Sequence, residues 1–248
     1  MKIVVCINHV PDTETRVKVG SDGKSLDKTG VNYVLNPYDE FALEEALRTK
    51  EKHGGEVTAI SLGGDAHKET LRKALAMGVD RGVLLKDDSV RDSLGIARLL
   101  SDVLREMSPD VIWVGKQSID YDNAAMAGLI AELLDVPSVS VVVNVEFRDG
   151  KILCEREIEG GHEVVESALP AVLAAQKGLN EPRYPSLKGI MAAKSKPIEE
   201  KSVGSAEMFV EVLQMRKPDP KKAGKIVGTD VGAVPELVRL LREEAKLL

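Results

Sequence analysis

The residue pattern with the clearest chemical potential is a loop near the middle of the chain. It leaves an apolar run at Gly115 and enters a predicted helix through the small residues Ala124 and Ala125. Unpaired backbone N–H groups at a helix start, backed by the positive end of the helix dipole, suit a phosphate, and small side chains let the anion approach. The same loop fits an ordinary connection capped by Asp122 or Asn123, and spacing alone leaves both interpretations open.

Other familiar catalytic and nucleotide motifs do not occur in the sequence. It contains no GxGxxG and no GxxxxGK[ST], so the usual dinucleotide fingerprint and the Walker loop are both missing. Asp120 and Asp122 resemble a carboxylate pair, but no histidine or metal cluster accompanies them, which favours turn and capping roles. Cys6 and Cys154 lie far apart in sequence, which favours two buried reduced thiols. We therefore expect no catalytic residue, metal site or redox centre in this chain.

The amino-acid composition limits the kinds of partner that the chain can bind. The sequence has 34 lysines and arginines against 40 acidic residues, a net charge of −6, and only 3% aromatic residues. This balance argues against nucleic-acid binding, which needs a basic stripe or stacking platforms. Because no apolar run approaches the roughly 20 residues of a membrane span, we expect no membrane insertion and a cytoplasmic location.

Short apolar runs alternate with amphipathic segments over the first 136 residues, a pattern typical of a parallel sheet with crossover helices. The predicted strands are 3–7, 57–62, 82–85 and 111–114, and the predicted helices are 37–53, 70–77, 96–107 and a fourth that starts after 123 and ends at 134. Asn36 is the predicted N-cap of the first helix, with Pro37 at its first position and Asp39 in its first turn. Ligands of such sheets bind at the carboxyl ends of the strands.

The second half of the chain has a different pattern. It comprises predicted strands at 139–147, 152–158 and 163–167, an apolar run at 171–175 and a final amphipathic helix at 235–248. The first two strands flank a turn that contains Gly150, which predicts an antiparallel hairpin. After about residue 195 the chain is rich in Lys, Glu and Pro. Since this tail has little core of its own, we expect it to pack on another molecule.

Four blocks of sequence resemble the β (small) subunit of electron transfer flavoprotein. The blocks are 36–46 (NPYDEFALEEA), 74–82 (ALAMGVDRG), 115–120 (GKQSID), and 169–172 (LPAV) with 179–187 (LNEPRYPSL). They follow the order and spacing of that family, and the resemblance covers nearly the whole chain. The LNEPRY core is the most specific of them.

The resemblance implies an electron-carrying heterodimer. In that family the β subunit pairs with an α subunit that holds the redox-active FAD, and electrons pass from dehydrogenases, often acyl-CoA dehydrogenases, to a quinone oxidoreductase or another acceptor. The implied fold is a Rossmann-like α/β sheet of the adenine nucleotide alpha hydrolase-like type, with an added antiparallel hairpin and an extended C-terminal arm. The β subunit would itself hold AMP or, in electron-bifurcating members, a second FAD.

The resemblance also assigns the residues that would hold the adenine nucleotide, mostly through backbone groups. They are Cys6, Asn36, Pro37, Tyr38, Asp39, Leu62, Gly115, Lys116, Gln117, Ser118, Ile119, Asp120, Tyr121, Asp122, Asn123, Ala124, Ala125 and Met126. Asn36 and Asp39 would bond ribose or base, and the amides near 123–126 would hold the phosphate. No catalytic residue and no metal ligand is implied.

Two departures from the family pattern bear on the nucleotide. Many members follow the second aspartate of the loop with a Gln-Thr-Gly stretch, whereas Asp122 is followed here by Asn-Ala-Ala-Met-Ala, so a hydroxyl and an amide are lost. Segment 87–95 also lacks the Asp-Thr-x-Ala-Thr-Ser stretch of bifurcating members, which favours AMP. A second FAD, an empty site and a stand-alone adenine-nucleotide-binding protein are the alternatives.

The remaining implications concern docking and domain organisation. Segment 184–194 resembles the family's recognition loop, in which a leucine anchors partner dehydrogenases; Leu187 matches that position, and Tyr184, Ile190 and Met191 accompany it. Nearby lysines would steer an acidic partner. We expect a nucleotide-binding domain over 1–200 and an arm over 201–248 that packs on the α subunit.

Overall fold

The computed structural model describes residues 1–221 and 223–248 of the chain. The strands are β1 (Lys2–Cys6), β2 (His9–Pro11), β3 (Tyr33–Leu35), β4 (Glu56–Gly63), β5 (Arg81–Lys86), β6 (Val111–Gly115), β7 (Ser138–Arg148), β8 (Lys151–Ile158), β9 (Gly161–Ala168), β10 (Ala171–Ala175) and β11 (Ile198–Ser202). The helices are α1 (Pro37–His53), α2 (His67–Met77), α3 (Ser93–Met107), α4 (Met126–Leu134), α5 (Leu187–Ser195) and α6 (Val234–Glu243). The four predicted strands and four predicted helices of the first half are thereby confirmed, with small shifts at their ends.

The main sheet is buried on both faces because its central strands are mostly apolar on both sides. Ile3 and Val5 of β1 point into a core shared with α1 and α2, whereas Val4 and Cys6 point into the opposite core, shared with α3 and α4. Continuous rather than alternating apolar runs are what strands need when helices cover both sides. The expected α/β, Rossmann-like fold is confirmed.

The order of the strands places a crevice beside β1. The main sheet runs β11-β5-β4-β1-β6-β10-β7-β8-β9, and β11 through β7 are parallel to one another. From β1 the chain builds outward through β4 and β5, and then α3 carries it back to β6 on the other side of β1. Loops that leave neighbouring strands in opposite directions open a crevice between them, and ligands of such sheets bind there.

The second half of the chain supplies the antiparallel part of the sheet. The hairpin β7–β8 is confirmed, and the strand predicted at 163–167 is confirmed as β9, which pairs antiparallel with β8 at the sheet's edge. The apolar run β10 does not follow β9 in space but inserts between β6 and β7, parallel to both. Its five residues are all buried, which explains why this run has no polar alternation.

Three strands were not predicted from the sequence. Strands β2 and β3 form a separate antiparallel pair of three residues each, too short to leave a periodic signal. Strand β11 lies at the edge of the main sheet, parallel to β5, within a segment that the sequence assigned to a Lys/Glu-rich tail. Its exposed charged residues suit an edge strand, which has no neighbour on one side.

Candidate functional site

A cleft opens at the carboxyl ends of β1, β4 and β6. It contains about 780 Å³ of space that no atom fills, its open mouth included. Its lining comprises Cys6, Ile7, Asn8, Asp39, Ile60, Leu62, Ser93, Ile96, Leu100, Val114, Gly115, Lys116, Gln117, Ser118, Asp120, Tyr121, Asn123, Ala124, Ala125 and Met126.

The floor of the cleft is apolar. Ile60, Leu100 and Val114 come from β4, α3 and β6 and belong to the core on that side of the sheet. Cys6 joins them at the end of β1, where burial, together with the nearby Asp39 carboxylate, raises the pKa of its thiol to about 12. The thiol is therefore protonated at neutral pH and acts as a small apolar group rather than a nucleophile.

The wall of the cleft is the loop between β6 and α4, which is held by polar side chains. Asn8 donates from Nδ2 to Ser118 Oγ at 3.0 Å and to Asp120 Oδ2 at 3.4 Å. Asp120 also accepts the backbone N–H of Tyr121 at 2.9 Å and the hydroxyl of Ser118. Asn123 donates to Ser93 Oγ at 2.6 Å, which ties the loop to the start of α3.

The amino terminus of α4 lies at the cleft without a side-chain cap. Its N-cap residue is Ala125, no side chain bonds to its first-turn amides, and that turn contains no acidic residue. The first amides of a helix have no intrahelical acceptor, and the dipole adds partial positive charge there. Asp122 and Asn123 do not cap the helix: their side chains bond to Gln117 and Ser93 instead. This geometry excludes the capped-loop interpretation and fits an anion.

The structure brings most of the predicted nucleotide residues together at the cleft, but five of them do not line it. Those five are Asn36, Pro37, Tyr38, Ile119 and Asp122. Both oxygens of the Asp39 carboxylate, which does line it, accept backbone amides. Lys116 places Nζ 5.6 Å from the centroid of the Tyr38 ring, a cation–π contact.

Seven lining residues were not predicted: Ile7, Asn8, Ile60, Ser93, Ile96, Leu100 and Val114. Asn8 carried a signal, since it is the first polar residue after β1. Ser93, Ile96 and Leu100 carried none, because they belong to α3, which reaches the cleft only through tertiary packing.

The predicted docking residues form an exposed surface. Leu187 begins α5 with 84% of its surface exposed, and Tyr184, Ile190 and Met191 are also exposed. The segment was expected to be a loop, and that expectation was wrong from Leu187 onward. The Ser186 side chain accepts the N–H of Gly189 at 3.0 Å and so caps a nine-residue helix.

Three observations limit the chemistry of the chain. Cys6 and Cys154 are both buried and free, as expected. Within residues 1–221 and 223–248, no group of three or more His, Cys, Asp and Glu side chains is arranged to hold a metal ion. None of the helices in that part of the chain has the length and apolar character needed to cross a membrane.

A largely parallel sheet that is covered by helices on both faces and has a crevice at its switch point defines a Rossmann-like α/β protein. The family model described as the electron transfer flavoprotein domain matches residues 24–206. A protein from Syntrophomonas wolfei is 40% identical over 225 residues, covering 90% of this chain and 88% of its own. Proteins from Bacillus subtilis (39% over 259 residues, 100% of both chains) and Mus musculus (36% over 256 residues, 100% and 99%) are similar. All three are named electron transfer flavoprotein subunit beta.

The chain therefore belongs to the electron transfer flavoprotein family, on the β-subunit side, and the resemblance seen in the sequence is confirmed. The family name makes it part of a flavin-dependent electron carrier, and the subunit name implies an α-subunit partner.

Proposed function

We propose that this chain holds AMP in the cleft and presents a docking surface for dehydrogenases, while electrons pass through an FAD held mainly by its α-subunit partner. The observation that carries the nucleotide assignment is the uncapped amino terminus of α4, which lies at one end of an apolar-floored cleft. An adenylate matches both features, because its flat base is apolar on its faces and its phosphate is an anion.

The residues of the cleft fit such a ligand. The apolar floor of Ile60, Leu100 and Val114 suits a purine, and the first-turn amides of α4 suit a phosphate. The small side chains of Ala124 and Ala125 leave these amides accessible. The departure from the family pattern after Asp122 therefore leaves the backbone donors in place.

The division of labour with the α subunit rests on chemistry and on the family name. An FAD supplies one- and two-electron chemistry when bound. The thiols of Cys6 and Cys154 are both buried, and burial raises the pKa of each to about 12, so neither is a reactive thiolate at neutral pH. In this proposal the chain itself binds the nucleotide and docks the partner proteins, and it carries no redox group of its own. We propose acyl-CoA dehydrogenases as donors and a quinone oxidoreductase as acceptor.

The test is to identify what the complex carries. The full chain is co-expressed with its α subunit, purified, denatured and filtered, and the released small molecules are quantified by mass spectrometry. We expect about one AMP and one FAD per heterodimer. Two FAD and no AMP would replace AMP by a second flavin, and no adenine nucleotide beyond the single FAD would overturn the proposal for the cleft.

A further inference from the structure

The first turn of α1 uses its polar side chains in an unusual way. Asn36 occupies the N-cap position, where an asparagine ordinarily accepts an amide of its own helix, yet it makes no such bond. Its Nδ2 donates to the carbonyl of Gln117 at 2.9 Å, and its Oδ1 accepts the N–H of Ile119 at 3.3 Å. With only 1% of its surface exposed, Asn36 is committed to the loop that forms the cleft wall.

Asp39 makes an equivalent connection, but to two strands at once. Its Oδ2 accepts the N–H of Asn8 at 2.7 Å, and its Oδ1 accepts the N–H of Gly115 at 3.0 Å. Asn8 follows β1 and Gly115 ends β6, the two neighbouring strands between which the crevice opens. One carboxylate therefore fixes the separation of the two loops that line the cleft.

Helix α1 and the end of β6 are packed closely where Asp39 meets Gly115. A methyl group on Gly115 would lie 2.4 Å from Asp39 Oδ1 and 2.7 Å from Tyr38 Cβ, so only glycine lets α1 approach this closely. Asp39 is 5% exposed, and the titratable groups that face it, the Cys6 thiol and the Asp120 carboxylate, are both acids. Burial raises the pKa of Asp39 to about 7. A carboxylate kept in such a place is costly, and its two amide bonds offset that cost.

We propose that Asp39 is a positioning residue for the nucleotide cleft, acting through the backbone of Asn8 and Gly115 and not by contact with the ligand. This replaces the expectation that its side chain bonds ribose or base. The ligand half of the inference rests on the proposed function, whereas the half that concerns the two loops does not.

The ligand test uses Asp39→Asn in the full chain, co-purified with its α subunit and freed of nucleotide. Asparagine keeps one acceptor oxygen but turns an N–H group toward the second amide, so one of the two bonds is lost. We expect the dissociation constant for AMP to rise about tenfold, in line with the loss of one charge-assisted hydrogen bond. Glu40→Gln is the matched control, because it removes the neighbouring carboxylate, which pairs with Lys73 instead; its affinity should equal that of the wild type.

Deoxy analogues separate positioning from contact. If Asp39 acts through the loops, Asp39→Asn raises the dissociation constant by the same factor for AMP, 2′-deoxy-AMP and 3′-deoxy-AMP. If the variant and the wild type bound one of the deoxy analogues equally well, Asp39 would bond the hydroxyl group that this analogue lacks, and the proposal would be overturned.

Amide NMR of the same complex tests the loops without any ligand. In the wild type, the amide shifts of Asn8 and Gly115 should titrate together with one midpoint, and in Asp39→Asn at least one of them should exchange with solvent faster. If the wild type fails to bind AMP while these amides behave as expected, the proposed function fails and the positioning role stands. If the variant does not fold, the wild-type titration decides: shifts that do not titrate together would overturn the proposal.

Discussion

The residues just before α4 determine how its amino terminus can be used. Asp92 caps α3 by accepting the N–H of Gly95 at 2.7 Å, and Ser186 caps α5 in the same way. At α4 the corresponding residue is Ala125, and Ala124 before it has a left-handed φ of 49°. A left-handed alanine carries a steric cost, and here it turns the chain into the helix with only methyl groups beside the amides. The result is a helix start that a ligand, rather than a side chain, can satisfy.

Ala124→Glu should exchange ligand binding for self-capping. A carboxylate beside the first turn of α4 interacts favourably with the helix dipole, which contributes about 0.3–1 kcal/mol, but it repels a phosphate at the same place. We expect the AMP dissociation constant to rise at least about tenfold while the melting temperature of the nucleotide-free protein stays equal or rises. Ala124→Gln, of the same shape but neutral, is the control and should weaken AMP binding less. Equal AMP affinities in the wild type, Ala124→Glu and Ala124→Gln would mean that the phosphate does not bind at the amino terminus of α4.

For single residues, the sequence predicts which loops form the site better than it predicts what each side chain does. Residues 115–126 were recognisable because they follow a buried strand and precede a helix, and this is enough to place them at the carboxyl edge of the sheet. The direction of the Asn36 and Asp39 side chains was not predictable, since it depends on Asn8 and Gln117, which are distant in sequence. Long-range backbone partners of this kind leave no local pattern.

Among the elements, α5 begins at a local helix-start signal in the sequence. Ser186 precedes Leu187 and lies three residues before Gly189, and a serine in this place is a common helix start. On its inner side the helix is packed tightly: a methyl group on Gly189 would lie 2.4 Å from the carbonyl oxygen of Ala76 in α2. On its outer side Leu187 and Met191 are exposed. A helix fixed on one side by close packing presents these apolar side chains as a rigid surface, which suits docking better than a mobile loop.

Leu187→Ala should slow electron transfer from a partner dehydrogenase without changing the fold. Because 84% of the leucine is exposed, its truncation removes little buried area within this chain, and we expect the melting temperature and the flavin spectrum of the complex to be unchanged. Loss of one buried anchor at an interface costs about 1–2 kcal/mol, so the apparent KM for the dehydrogenase should rise about 5–30-fold. Val164→Ala, an exposed apolar residue on β9, is the control. A similar rise in the apparent KM in both variants would contradict the assignment of Leu187 as a docking residue.

The positions of β10 and β11 in the sheet were not predictable from the sequence, for a common physical reason. β10 follows β9 in sequence but pairs with β6 and β7, so its position depends on a long-range insertion. β11 has the sequence Ile-Glu-Glu-Lys-Ser, which has low strand propensity by itself, and it forms a strand because β5 offers a free edge. Strand order and edge pairing are properties of the assembled sheet, so periodicity in one segment does not reveal them.

On the scale of the whole molecule, polar contacts attach the segment around Phe209, which belongs to the predicted C-terminal arm, to the rest of the chain. The Asp92 carboxylate accepts the N–H groups of Phe209 and Val210 at 2.6 and 2.9 Å, and Lys24 pairs with Glu211 at 2.8 Å. The arm nevertheless exposes Phe209, Val210 and Leu213 to solvent. Contiguous exposed apolar residues typically mark a protein interface. These contacts hold residues 209–211 in place while the apolar side chains stay exposed, as the proposed packing of the arm on the α subunit requires.

Leu213→Asp should weaken assembly with the α subunit and leave this chain folded. Leu213 is 77% exposed, so a charge there costs little in the isolated chain, but it would be buried and unpaired in an interface that uses the arm. We expect co-expression with the α subunit to yield less yellow heterodimer on size exclusion, with circular dichroism of the variant unchanged. Val90→Asp is a closely matched control, because Val90 is 76% exposed and lies in the loop before α3. Wild-type recovery of the Leu213→Asp heterodimer would mean that the arm does not contact the α subunit at this residue, and it would leave the body of the domain as the interface.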